Sequence, residues 1–117
     1  MNSLLENIST INDMILEGKA LDAFDQFYHE NVVMQENDNP IVEGKIANRQ
    51  REEEFFGAIT EFRAAKPLKV TVGENTTMVE WHFDYTHKDW GIRNYTQVAV
   101  QNWKDGKIVK EKFYYEA

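Results

Sequence analysis

The chain has 117 residues, no cysteine, and 13 Lys and Arg against 20 Asp and Glu, a formal charge of −7. That length predicts a single domain over residues 1–117, able to bury roughly two thirds of its unfolded surface. The missing cysteines exclude disulfides, thiolate catalysis and cysteine-ligated zinc, and the acidic balance argues against nucleic-acid binding.

In chain order, Leu4, Ile8, Ile11 and Ile15 recur at the 3.6-residue period and predict an amphipathic helix. Ser3 with Glu6 forms a capping-box pattern before it, and Gly18 supplies its stop. A second short helix places Leu21, Phe24 and Phe27 or Tyr28 on its buried side. Val32-Val33-Met34 reads as a short strand, ended by Asn37-Asp38-Asn39-Pro40. Helical patterning returns from Lys45 to Ala65, with Phe55, Ile59 and Phe62 inward and the run Arg49 to Glu54 as its wet face. After Pro67 the chain turns to strands: Leu68, Val70 and Val72; Met78 to Tyr85; Ile92 to Trp103; and Ile108 to Tyr115. Gly73-Glu74-Asn75, Asp89-Trp90-Gly91 and Asp105-Gly106 mark the turns between them. Helices first and an antiparallel meander second predict an α+β fold, with helices on one face of a curved sheet.

No run approaches the ~18 apolar residues of a membrane span. The first 16 residues carry Glu6 and Asp13 in place of a basic leader. A cytoplasmic location without membrane contact is therefore expected.

The order of these motifs resembles a known family. The first helix, Leu21-Asp22-Ala23 with Phe27 and Tyr28, Asn31-Val32-Val33, Gly44 opening a helix, and Asp105-Gly106-Lys107-Ile108 with Tyr114-Tyr115 are similar to SnoaL-like proteins of the nuclear transport factor 2-like superfamily. The resemblance covers nearly the whole chain. It implies a cone-shaped half-barrel, in which N-terminal helices pack on a strongly curved, mainly antiparallel sheet around an internal cavity. It also implies a homodimer formed through the outer sheet face. It does not imply one activity, since fold and function separate readily.

Alternation along the strands assigns the cavity side. Val79, Trp81, Phe83 and Tyr85 form the apolar set of their strand and are placed inward, against Glu80, His82 and Asp84 outward. In the next strand, Arg93, Tyr95, Gln97, Ala99, Gln101 and Trp103 compete with Ile92, Asn94, Thr96, Val98, Val100 and Asn102. Similarity to ketosteroid isomerase, a member of the superfamily, places the first set in the cavity and leaves Val98 and Val100 for a partner subunit. In the last strand, Val109, Glu111, Phe113 and Tyr115 are placed inward.

The same similarity sets Glu36 where ketosteroid isomerase carries its aspartate base. A carboxylate in an apolar mouth is suited to proton abstraction near neutral pH. The plainer reading is a solvated loop glutamate in the run Gln35-Glu36-Asn37-Asp38. The isomerase's hydrogen-bonding pair falls on Asn12 and Ala99, so its oxyanion hole is not preserved and steroid isomerisation is not expected. Polyketide cyclases of this type use a carboxylate and a histidine, but His82 is placed outward, beside Lys110 and Lys112. His29 and His87 read as surface residues. Arg93 and Glu111 read as a neutralising pair, and Gln97 and Gln101 as groups that orient an oxygen.

Glycines at 18, 44, 57, 73, 91 and 106 make no phosphate loop, and the two serines lie in the first helix, so nucleotide and serine-nucleophile chemistry is set aside. No cofactor or metal is expected. The expected ligand is a small, largely apolar, oxygenated compound, bound between Trp81, Phe83, Tyr85, Trp103, Phe113 and Tyr115 with the polar groups above. Isomerase, cyclase or dehydratase-type proton transfer is one outcome. The alternative is a non-catalytic ligand-binding or protein-interaction domain acting as a dimer.

Overall fold

The structure is a computed structural model describing residues 3–116. Helix α1 (Leu4–Leu16) opens on a reciprocal cap: Ser3 Oγ accepts the Glu6 N–H at 3.1 Å, and Glu6 Oε1 accepts the Ser3 N–H at 3.2 Å. Gly18, at φ +79°, ends it, with the Lys19 N–H closing back on the Met14 carbonyl. Ile8 and Ile11 are buried, as the helical period requires. Helix α2 (Ala20–Phe27) follows directly, burying Ala23, Phe24 and Phe27.

Strand β1 (Tyr28–Glu36) starts at Tyr28 and runs well beyond the Val32–Met34 core of the sequence pattern. A short β2 (Val42–Glu43) leads to α3 (Lys45–Gly57) through Gly44 at φ +94°, a conformation costly for any other residue. Asn48 is buried here, and its Nδ2 donates to the Val42 and Gly44 carbonyls at 3.0 and 2.8 Å. Arg49 fastens α3 to α2 through a fork onto Asp25 at 2.7 and 3.1 Å. That guanidinium holds the Asp25 carboxyl below its ordinary range.

The helix predicted to reach Ala65 ends at Gly57. From Ile59 the backbone is β3 (Ile59–Gly73), paired antiparallel with β4 (Thr76–His87). Phe62, placed inward on a helix, is instead 61% exposed on this strand. Pairing with β4 overrides a weak helical pattern there, and β-branched Ile59 and Thr60 suit a strand. Pro67 lies inside β3 next to a bulge, which an edge strand tolerates because its outer N–H groups are unpaired.

Strands β5 (Gly91–Lys104) and β6 (Lys107–Tyr115) complete an open, mixed sheet of six strands in the order β2-β1-β6-β5-β4-β3. Only the β1–β6 pair is parallel. The tight turn at Asp105-Gly106 has both residues at positive φ, +52° and +78°. A bulge just beyond it pairs Trp103 with Ile108 but Asn102 with Lys110. The extra residue is Val109, so Ile108 takes the fully buried place assigned to Val109.

The helices lie on the concave face, α1 against β3 and β4, α2 and α3 chiefly against β1. Ile8, Val32, Val79 and Ile108 are essentially inaccessible, each contributing roughly 1.5–3 kcal/mol of burial free energy. This is the α+β cone, closed at one end by packed side chains and open at the other. Among the described residues no helix is long and apolar enough to cross a membrane.

Candidate functional site

Strand register stacks the concave face in rows. The innermost polar row joins Thr77 on β4, Gln101 on β5 and Glu111 on β6, beside Met34 on β1. Val79, Ala99, Phe113 and Glu36 form the next row, and Trp81, Gln97 and Tyr115 the one after. Above them come Phe83 with Tyr95, then Tyr85 with Arg93. Between these rows and the helices lies a recess of about 1370 Å³.

Its inner polar row is one directed hydrogen-bond chain. Trp103 Nε1, which can only donate, gives to Thr77 Oγ1 at 2.9 Å, and that hydroxyl donates to Gln101 Oε1 at 2.6 Å. The amide is thereby fixed with its Nε2 toward Glu111 Oε2, at 2.7 Å. The Tyr28 hydroxyl donates to the other oxygen, Oε1. Glu111 is 3% exposed, and burial pushes its carboxyl up to about 6 against the opposing pull of these two donors. Burial, reinforced by the Glu111 charge, raises the Tyr28 hydroxyl well above its ordinary range.

Glu52 also borders the recess, from α3. Burial pushes its carboxyl up to about 7, and the Glu111 and Glu36 charges add to that while Arg51 opposes it. The sequence reading put Glu52 on a wet helix face. The signal it missed is the stripe Asn48, Glu52, Phe55 at i, i+4 and i+7, which carries Glu52 inward with a buried neighbour.

Glu36 lies nearer the mouth. Its Oε2 accepts from Arg51 Nη2 at 2.9 Å, its Oε1 accepts from the Tyr115 hydroxyl at 3.0 Å, and its side chain is 37% exposed. Burial and the Glu36 charge push the Tyr115 hydroxyl up to about 12. Trp81, Phe83, Tyr85, Arg93, Tyr95, Gln97, Gln101, Glu111, Phe113, Tyr115 and Glu36 all border the recess. Trp103 does not; its indole sits in the core against Phe27, ring centroids 6.4 Å apart. At that depth the cone has narrowed until its side chains fill it.

Several placements differ from expectation. Arg93 lies over the Tyr95 ring, 4.8 Å from its centroid, while Glu111 is held by Tyr28 and Gln101, so the two form no pair. Both ends of the Gln101 amide are engaged within the protein, so it orients Glu111 rather than a ligand oxygen. His87 is not a surface residue: it is 5% exposed, stacked on Trp90 at 3.7 Å, and borders the recess. The period-2 alternation that placed Val79 to Tyr85 inward, extended by one step each way, captures Thr77 and His87 as well. On the outer face, Asp84 pairs with Arg63 of β3 at 2.8 Å and His82 meets Thr96, rather than Lys110 or Lys112.

The SnoaL-like domain model matches residues 5–115. The chain belongs to the SnoaL-like family. A Mesorhizobium loti protein, described as a candidate SnoaL-like polyketide cyclase, superposes with TM-score 0.87 at 22% identity, covering 97% of this chain and 100% of its own. A Jannaschia protein of the same description gives TM-score 0.81 at 14% identity, covering 99% and 90%. An LEH-like epoxide hydrolase of M. tuberculosis gives TM-score 0.75 at 12% identity, covering 95% of this chain and 80% of its own. At these identities the likeness establishes the SnoaL-like fold alone. No curated protein matches the sequence closely enough to count as a relative.

Proposed function

We propose that the recess of this SnoaL-like protein binds a small, largely apolar, oxygenated compound and that Glu52 transfers a proton within it, in isomerase, cyclase or dehydratase-type chemistry. The carrying observation is a carboxyl bordering an aromatic recess and pushed up to about 7. Such a group is divided between acid and base at neutral pH, the condition in which one side chain serves both roles. Glu111, oriented by Tyr28 and Gln101, supplies part of the negative field that keeps Glu52 protonated so far above an ordinary carboxyl. The test is loss of deuterium from the α-carbon of small ketones and β-hydroxy ketones, followed by NMR. Glu52→Gln is expected to slow the reactive compound by about 100-fold or more; an unchanged rate excludes Glu52.

Glu36 remains the second candidate base, favoured by the Tyr115 hydroxyl on one of its oxygens and Arg51 on the other. If Glu36→Gln abolishes turnover and Glu52→Gln does not, the assignment passes to Glu36. The outer sheet face supports the dimer reading. Register sets Met78 beside Val100 and Val98 beside Tyr114, and Met78 and Tyr114 are 43% and 48% exposed. Val98→Glu with Val100→Glu is expected to convert a dimer to a monomer in sedimentation velocity; a wild-type monomer at micromolar concentration excludes the dimer.

A further inference from the structure

Glu111 is a buried carboxylate whose charge the protein does not balance. Its two partners, Tyr28 and Gln101, are neutral donors, and among the described residues it makes no ion pair. Buried charges are ordinarily paired, because neutral hydrogen bonds recover only part of the lost hydration. Three guanidinium groups border the same recess and all are engaged elsewhere, Arg49 on Asp25 and Glu53, Arg51 on Glu36 and Arg93 over Tyr95. Gln101 cannot turn its amide, since Thr77 fixes its oxygen and Trp103 fixes Thr77. What this end of the recess lacks is positive charge.

Three further observations specify the form of that charge. Each Glu111 oxygen accepts one hydrogen bond and has capacity for another. Asn12, on the helix side, borders the recess with 5% of its surface exposed; its amide makes no side-chain hydrogen bond among the described residues and is not one of their enclosed unpartnered atoms, so it opens onto the recess. It therefore offers an unused acceptor from a second direction. Two stacked aromatic pairs, Phe24 with Tyr28 at 4.5 Å and Trp81 with Phe83 at 5.3 Å, border the same space. Ring faces of this kind attract a desolvated organic cation while tolerating its hydrocarbon.

We propose that the recess selects a protonated amine: a small apolar compound with one ammonium group, its N–H donors on Glu111 and on the side-chain oxygen of Asn12, its carbon skeleton against Trp81 and Phe83. The inference rests on the reading of the recess as a small-molecule site and names the ligand's recognised group. A hydroxyl would satisfy the free lone pairs but leave the charge unbalanced, which is why the ammonium is preferred.

The test uses three probes of one shape, benzylammonium, benzyl alcohol and benzoate, titrated at pH 8 into isotope-labelled full-length protein and followed by NMR shifts of the Trp81 indole and Asn12 amide. Benzylammonium is expected to bind at least tenfold more tightly than benzyl alcohol, with benzoate weakest. Glu111→Gln, which keeps a side chain of the same shape for Tyr28 and Gln101, is expected to remove most of that preference, weakening benzylammonium at least several-fold more than benzyl alcohol. If that variant does not fold, Asn12→Ala serves instead, with a several-fold loss expected for benzylammonium alone. Equal or tighter binding of benzyl alcohol by the wild type, or a preference that survives Glu111→Gln, overturns the proposal while leaving a small-molecule site in place. Failure of all three probes to bind overturns it together with the small-molecule reading.

Discussion

Two glutamates stand one row apart on adjacent, parallel strands and live in different chemical worlds. Glu111 pairs in register with Met34, and Glu36 is the second residue beyond Met34. The inner carboxylate is buried, held by two neutral donors and faces no cation. The outer one is substantially exposed and carries Arg51 on one oxygen and Tyr115 on the other. A step of about 6–7 Å along a strand, two residues of rise, thus separates a strongly desolvated carboxyl from a solvated ion pair. The taper of the cone does this: the same residue type is costly where the sheet closes on the helices and inexpensive where it opens.

The largest effect expected from that contrast is on stability. Glu111→Ala leaves the Tyr28 hydroxyl and the Gln101 amide as unmatched buried donors, at about 1–3 kcal/mol each, so urea unfolding should lose about 2–5 kcal/mol. A loss below about 1 kcal/mol would mean that water reaches the inner row freely and the two regions do not differ.

A smaller effect concerns pH. Glu111 and Glu52 ionise near 4.5 when unfolded but hold their protons to about 6 and about 7 when folded, mainly through burial. Between those values the folded chain binds more protons than the unfolded one, so stability falls as pH rises from about 4.5 to about 7 and then levels. Glu52→Gln should flatten the upper part of that decline, as followed by thermal melting across the range. A wild-type stability that rises over this window would contradict the raised carboxyls. Asp25 acts in the opposite sense: its lowered carboxyl contributes stability that is lost only as acid protonates it, below its ordinary value of 3.8.

The smallest effect belongs to the mouth. Glu36→Ala removes a largely exposed pair with Arg51 and one hydrogen bond from Tyr115. A loss of no more than about 1 kcal/mol, shrinking further at high salt, is expected. A loss matching that of Glu111→Ala would erase the distinction between the two rows.

Which of these features were legible beforehand depends on range. The α1 cap, its apolar stripe, the Asp105-Gly106 turn and the alternation from Val79 to Tyr85 are local patterns, and the backbone follows each of them. The segment from Ile59 to Ala65 was not legible, because its fate rests on pairing with β4, far along the chain. Ile108 replaced Val109 inside because the bulge at Val109 breaks the alternation, so Ile108 and Glu111, three residues apart, share the inner face. Glu52 was read as solvent-facing because charge in a helix usually is; only its spacing from Asn48 and Phe55 argued otherwise.

Sequence alone determined most element types, the absence of thiol chemistry, and the family, since these depend on residue identity and short spacing. Tertiary structure alone decided which of the 20 acidic residues are desolvated enough to hold their protons toward neutral pH. Most lie on helix faces and loops, where water screens them. Glu52 and Glu111 are distinguished by the rows that strand register builds around them, because a carboxyl's proton affinity is set by what surrounds it in space rather than in sequence.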